Sequence, residues 1–235
     1  SLTLPTDIND IFEKTGTGFS PEFTIPLNLI SLYEDQGQMA LLIGALGVDL
    51  SYCKIFERAV EASEYYKNIE LLAHNLDLPR EIFDKSSDEL EWYVNKPDSL
   101  TDLIDQIYAD VDAYFREQKQ ESLASLTLLG GWLEAMYIGV RIYQDKEILD
   151  MGDRILQQKY ALNSLAGLLA NYQESLVIRT YIHLLNNLKE VYNKVDIKYS
   201  KEDFELDKEA YSFQARVREI SYEPSTLEEI CRLEV

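Results

Sequence analysis

The sequence predicts an all-α fold, a multi-helix bundle of antiparallel helical hairpins with a small C-terminal β-hairpin excursion. Three observations carry this. Apolar side chains recur three or four residues apart through most of residues 30–195, the spacing of a helix with one buried stripe. Short polar or proline-containing breaks cut that pattern into lengths suited to hairpins. After Val195 the period shortens to two, as in half-buried strands.

Residues 1–29 read as a loose N-terminal arm. Thr6 can cap one short helix there, with Ile8, Ile11 and Phe12 as its stripe and Gly16 as its stop. The helical core, 30–195, opens with Met39, Leu42, Leu46, Leu50, Cys53 and Phe56 on one face. A break near residues 57–59 leads into a second helix through "EASEYYKNIELLAHNL", which runs to Pro79 and closes the first hairpin. Residues 79–95 are expected to hold one or two short helices. Ser99 followed by Asp102 has the form of a capping box for a helix through "LIDQIYADVDAYFREQ". Three more helices are expected, at about 121–143, 146–171 and 174–195, the last with Ile178, Ile182, Leu185, Leu188 and Tyr192 facing inward. In the β excursion and closing helix, 196–235, "VDIKYS" and "FQARVREIS" read as strands and Ser225 as the cap of "PSTLEEICRL". The whole chain, 1–235, reads as one domain.

Composition narrows the function. With 22 basic and 42 acidic side chains the formal charge is −20, which repels phosphate backbones and anionic lipid surfaces, so no nucleic-acid partner is expected. No uncharged apolar run reaches the roughly 18 residues of a membrane span, so no spanning segment is expected. Cys53 and Cys231 lack the paired spacing of a zinc site and read as two buried thiols or one bridge. A di-iron bundle places glutamate three residues before histidine, but Leu71 and Thr180 stand there before His74 and His183. Both histidines read as surface or capping residues. "GALG" and "GG" fall inside helical periods and are not phosphate loops, and the chain has neither a nucleophile elbow nor HExxH. No catalytic residue, metal ligand or cofactor is assigned.

Two acids break this blandness. Asp49 lies within the apolar run "LLIGALGVDLSYCKIF" and, at about 100° per residue, shares the face of Leu42, Leu46, Cys53 and Phe56. Glu134 occupies the same kind of helix in "LLGGWLEAMYIGV". Each is followed three residues later by a tyrosine, Tyr52 and Tyr137, and a shift of 85 residues aligns the two patterns as a candidate internal repeat. At that shift the glycines do not superpose: Gly44 and Gly47 mark one helix, and Gly131, Ala135 and Gly139 form a small-residue stripe on the other. A carboxylate buried without partners costs several kcal/mol, so each acid needs donors, a proton, a cation or water. Four explanations remain open. Tyrosine hydroxyls, backbone amides or an arginine satisfy the acids; or Asp49, Tyr52, Glu134 and Tyr137 line a pocket for a cationic or hydroxyl-bearing ligand; or the acids hold a metal; or they act as a catalytic acid and base.

Taken together, "GVDLSY" (47–52), "DAYFREQ" (112–118) and "LLGGWLEAMYIG" (128–139) resemble segments of an uncharacterised all-helical family of Bacteroidetes bacteria. That family is of secreted or lipoprotein type, and the likeness spans residues 35–235. The resemblance implies a helical fold and a cell-envelope location, periplasmic or at the outer membrane, with a lipid tether upstream. It carries no activity and no site residues. The expected function is a non-catalytic binding or scaffolding module of the bacterial cell envelope, with an unknown protein or small ligand as partner. The alternative is a small-ligand or metal-dependent protein or enzyme using Asp49 and Glu134.

Overall fold

A computed structural model describes residues 18–83, 97–146, 149–207 and 212–234. The short helix expected near Thr6, and the part of the short helices expected over 79–95 that lies beyond residue 83, fall outside them. Eight α-helices are found among the described residues: α1 (Gln36–Ile55), α2 (Ala59–Asn75), α3 (Pro97–Glu117), α4 (Glu121–Lys146), α5 (Leu149–Gln157), α6 (Lys159–Leu169), α7 (Leu176–Tyr192) and α8 (Pro224–Glu234). An antiparallel pair, β1 (Asp196–Asp207) and β2 (Ser212–Ser221), separates the last two. The all-α class with a small β hairpin is therefore the observed one.

Two helices occupy the centre because their sequences are apolar on every side. In α1 all residues from Leu42 to Gly47 are buried, and in α4 those from Leu123 to Thr127. Both are long and apolar enough to cross a membrane by length and composition, but most of that apolar surface is turned inside the fold. All-round apolarity is what a helix surrounded by other helices requires. Asp35 starts α1, its carboxylate accepting the amides of Gly37 at 2.8 Å and Gln38 at 3.2 Å. The tails of α1, α2 and α3 turn through left-handed residues, Glu57, Asp77 and Lys119, and the Arg58 amide reaches the Cys53 carbonyl at 2.9 Å.

The central helices run parallel. Gly37 lies against Leu126, and further along both helices Leu41 lies against Gly130 and Gly44 against Thr127 and Gly131. A Cβ on Gly44 would stand 1.9 Å from the Thr127 carbonyl oxygen, and one on Gly130 would stand 1.9 Å from the Leu41 carbonyl oxygen. Only glycine allows backbones so close. The contact is reciprocal at a separation of 86 residues, pairing Gly44 with Gly130 and Leu41 with Thr127. The acids, 85 residues apart, sit one position out of step with this crossing.

Helix α2 packs on α1, and α3 and α5 pack on α4; α6 and α8 both pack on α4 and α7. Three boundary expectations are corrected. The single helix expected over 146–171 is two, because the Gln158 amide bonds to the Ile155 carbonyl at 3.1 Å, tightening the turn, while its side chain accepts from the Trp132 indole at 3.1 Å. The capping roles expected for Ser99 and Ser225 fail because α3 and α8 start earlier, at Pro97 and Pro224, where proline fits the first helical position. Strand β1 also runs further into the charged stretch than expected, with register shifts after Lys198 and Tyr199. Cys53 in α1 and Cys231 in α8 are both buried thiols.

Residues 18–35 form a strap that is laced onto the helices rather than hanging from them. Its two short 3-10 turns, Pro21–Phe23 and Leu27–Leu32, bury Phe23 and Ile30, and Thr24 between them is buried too. Phe19 stacks on Tyr52, with ring centroids 5.3 Å apart, and carries the Arg58 guanidinium 5.0 Å above its ring.

Candidate functional site: a buried acid pair beneath a strap

Asp49 and Glu134 meet. Each lies about one turn beyond the glycine crossing on its own helix, and the parallel packing brings their carboxyl groups within hydrogen-bonding range. Asp49 is completely buried and Glu134 is 8% exposed. Asp49 Oδ2 accepts the Ile25 amide of the strap at 3.1 Å. Asp49 Oδ1 and Glu134 Oε1 are both buried and, as bare acceptors, have no donor. A proton on either carboxyl group gives both bare oxygens a partner, and a proton on each also leaves the buried site uncharged.

The electrostatics point the same way. Burial is the largest influence on Asp49, raising its pKa well above the ordinary carboxylate value, and the adjacent Glu134 raises it further against the opposing effect of the Ile25 amide. Burial pushes Glu134 up to about 7, offset in part by the hydrogen bond from Asp49. Around the pair stand groups that are neutral at pH 7. Tyr52 and Cys53 come from α1, Tyr65 from α2 and Tyr108 from α3, and burial raises the pKa of all four.

These neighbours hold backbone rather than the acids. Tyr65 donates to the Ile25 carbonyl at 3.1 Å, so Ile25 is gripped at its amide by α1 and at its carbonyl by α2. The Tyr52 hydroxyl accepts the Ser20 amide at 3.0 Å. Tyr108 donates to the Gly44 carbonyl, and Gly47 leaves room for its ring. Of the four residues singled out from the sequence, Asp49 and Glu134 come together and Tyr52 stands beside them, engaged with the strap. Tyr137 is half-buried against the core and has no bond to the pair. His74 and His183 are both exposed.

Ile25, Tyr65 and Tyr108 were not foreseen. A backbone amide carries no residue-type signal, and the tyrosines sit on stripes indistinguishable from ordinary core. The one available clue was the bracket of Pro21 and Pro26 around Ile25, which holds the segment away from helix.

The strap also lines two surface recesses. One, of about 400 Å3, is framed by Phe19, Ser20, Glu22 and Phe23 of the strap with Arg141 and Gln144 of α4. The Arg141 guanidinium lies 5.5 Å from the Phe23 ring centre. The other, of about 380 Å3, is framed by Leu27, Tyr33 and Glu34 with Met39, Leu71 and Asn75. Comparison of the chain with known protein families, with curated proteins and with solved structures finds no match.

Proposed function

We propose that the protein is a non-catalytic binding or scaffolding module, whose acid pair organises the fold and whose strap-lined recesses meet the partner. The closure of the pair carries this reading. A catalytic acid or base must come within hydrogen-bond reach of a substrate, but Asp49 is completely buried, Glu134 nearly so, and the two face each other beneath the strap. The recess beside Arg141 is open and has the size of small-molecule sites. Its mixture of Phe19 and Phe23 with Glu22, Arg141 and Gln144 suits a small polar ligand or a peptide side chain. A cell-envelope setting accords with the family resemblance of its three segments.

The alternative, ligand or metal chemistry at the acids, draws support from their contact, since a common site requires it. Among the described residues no three or more His, Cys, Asp or Glu side chains gather in metal-binding geometry. Native mass spectrometry of the purified protein, alone and with Mn2+ or Zn2+, separates the two readings. A retained small molecule that is lost in Arg141→Ala supports recess binding. A stoichiometric metal lost in Asp49→Asn and Glu134→Gln, but retained in Arg141→Ala, overturns it.

A further inference from the structure

We propose that Asp49 and Glu134 form a proton-binding site that controls the docking of the strap, residues 18–35, and through it the shape of both recesses. This goes beyond the binding reading and stands or falls separately from it. Three pieces of geometry carry it. The pair is sealed between α1, α4 and the strap, and the two unpartnered oxygens face a neighbour that can share a proton. The strap residue on top, Ile25, is tied directly to Asp49. The same strap supplies Ser20, Glu22 and Phe23 to one recess and Leu27, Tyr33 and Glu34 to the other.

Separating the helices to relieve a charge in the pair would break the close packing at Gly44 and Gly130 and strain the Tyr108 bond to the Gly44 carbonyl. What can yield is the strap, which has no regular secondary structure beyond two 3-10 turns and whose removal would admit water to the acids. The charged and titratable groups facing the pair offer no compensation. Tyr52, Cys53, Tyr65 and Tyr108 are neutral at pH 7, and Glu22 of the strap adds negative charge near Tyr52. Arg141, two turns beyond Glu134 on α4, is engaged with the Phe23 ring.

With both acids protonated the site is uncharged and closure carries no electrostatic cost. When Glu134 ionises, a carboxylate is left beneath the strap with Asp49 as its donor, and hydration favours the open form. Opening and ionisation are linked, so the strap should open more readily as pH rises through the folded pKa of Glu134, about 7.

Hydrogen exchange of the intact protein followed by mass spectrometry tests this, with protection factors corrected for intrinsic rates between pH 5.5 and 8.5. Protection of peptides covering 18–35 should fall at least fivefold across that range, while peptides from α7 change little. In the double variant Asp49→Asn/Glu134→Gln, which keeps the shape and removes both titrating groups, strap protection should be flat. A flat wild-type profile overturns the proposal, as does an equal fall in strap and α7, which would mean global loosening. An unchanged pH response in that double variant overturns it too. If that variant does not fold, the wild-type comparison of strap with α7 still decides.

Discussion

Gly44 and Gly130 are counterparts across the central helix pair, each resting on the carbonyl oxygen found three residues before the other. The contact fixes the separation of α1 and α4 and so places Asp49 against Glu134. A methyl group at either glycine would overlap a carbonyl oxygen that belongs to rigid helix backbone. Gly44→Ala and Gly130→Ala should each destabilise by about 3 kcal/mol or more, the upper range of overpacking. Gly167 in α6 is the control: its Cβ would meet nothing within 4 Å, so Gly167→Ala should stabilise by about 0.5–1 kcal/mol through helix propensity. Urea denaturation of the three variants measures both effects.

The acid pair should behave as one unit. Asp49→Lys places an unpaired cation of the wrong shape in a fully buried position, and a loss of about 3–5 kcal/mol is expected. Asp49→Asn and Glu134→Gln keep volume and leave polar groups able to hydrogen-bond each other, so the double variant should depart from additivity by about 0.5–3 kcal/mol. A double-mutant cycle on urea midpoints measures this coupling. Additive effects would mean that the carboxyl groups do not interact.

Stability should also depend on pH in a definite direction. The folded pKa values of Asp49 and Glu134 are raised above their ordinary values of 3.8 and 4.5, so the unfolded chain releases these protons first. The contribution of the pair is complete below the ordinary carboxylate range and is lost as pH rises through the folded values, about 7 for Glu134. The melting temperature should therefore fall between pH 5 and pH 8. Because a net charge of −20 also favours expansion as acids ionise, the informative quantity is the difference from Asp49→Asn/Glu134→Gln. That double variant should show a shallower pH dependence.

Much of the fold was legible because helical stripes report burial directly. Asp49 on the face of Leu46 and Cys53 was readable as buried, and it is. Its companionship with Glu134 was suggested only by a shared pattern, acid, x, x, Tyr, whose tyrosines turn out to be incidental to the pairing. Which residues meet depends on the glycine crossing, and sequence spacing alone could not establish that the helices run parallel. The division of the 146–171 helix at Gln158 was hidden for a similar reason. It arises without glycine or proline, from a tight turn and a long-range bond to Trp132. The strap was least legible, since irregular backbone held by amides and carbonyls leaves no periodic trace.

Removing the tyrosine grip on Ile25 tests how the strap is held. Tyr65 is buried and its hydroxyl is spent on the Ile25 carbonyl, so Tyr65→Phe keeps the packing of the ring while leaving that carbonyl without its donor. The expected global cost is about 1 kcal/mol, the usual net value of such a bond. The local effect should be larger in proportion, because Ile25 would then be held by Asp49 alone, and exchange at residues 18–35 should quicken while α7 is unchanged. Since the remaining anchor is the proton-sharing acid, the strap of Tyr65→Phe should also become more sensitive to pH than that of the wild type. Equal pH sensitivity in the two proteins would show that the Asp49 bond does not govern docking.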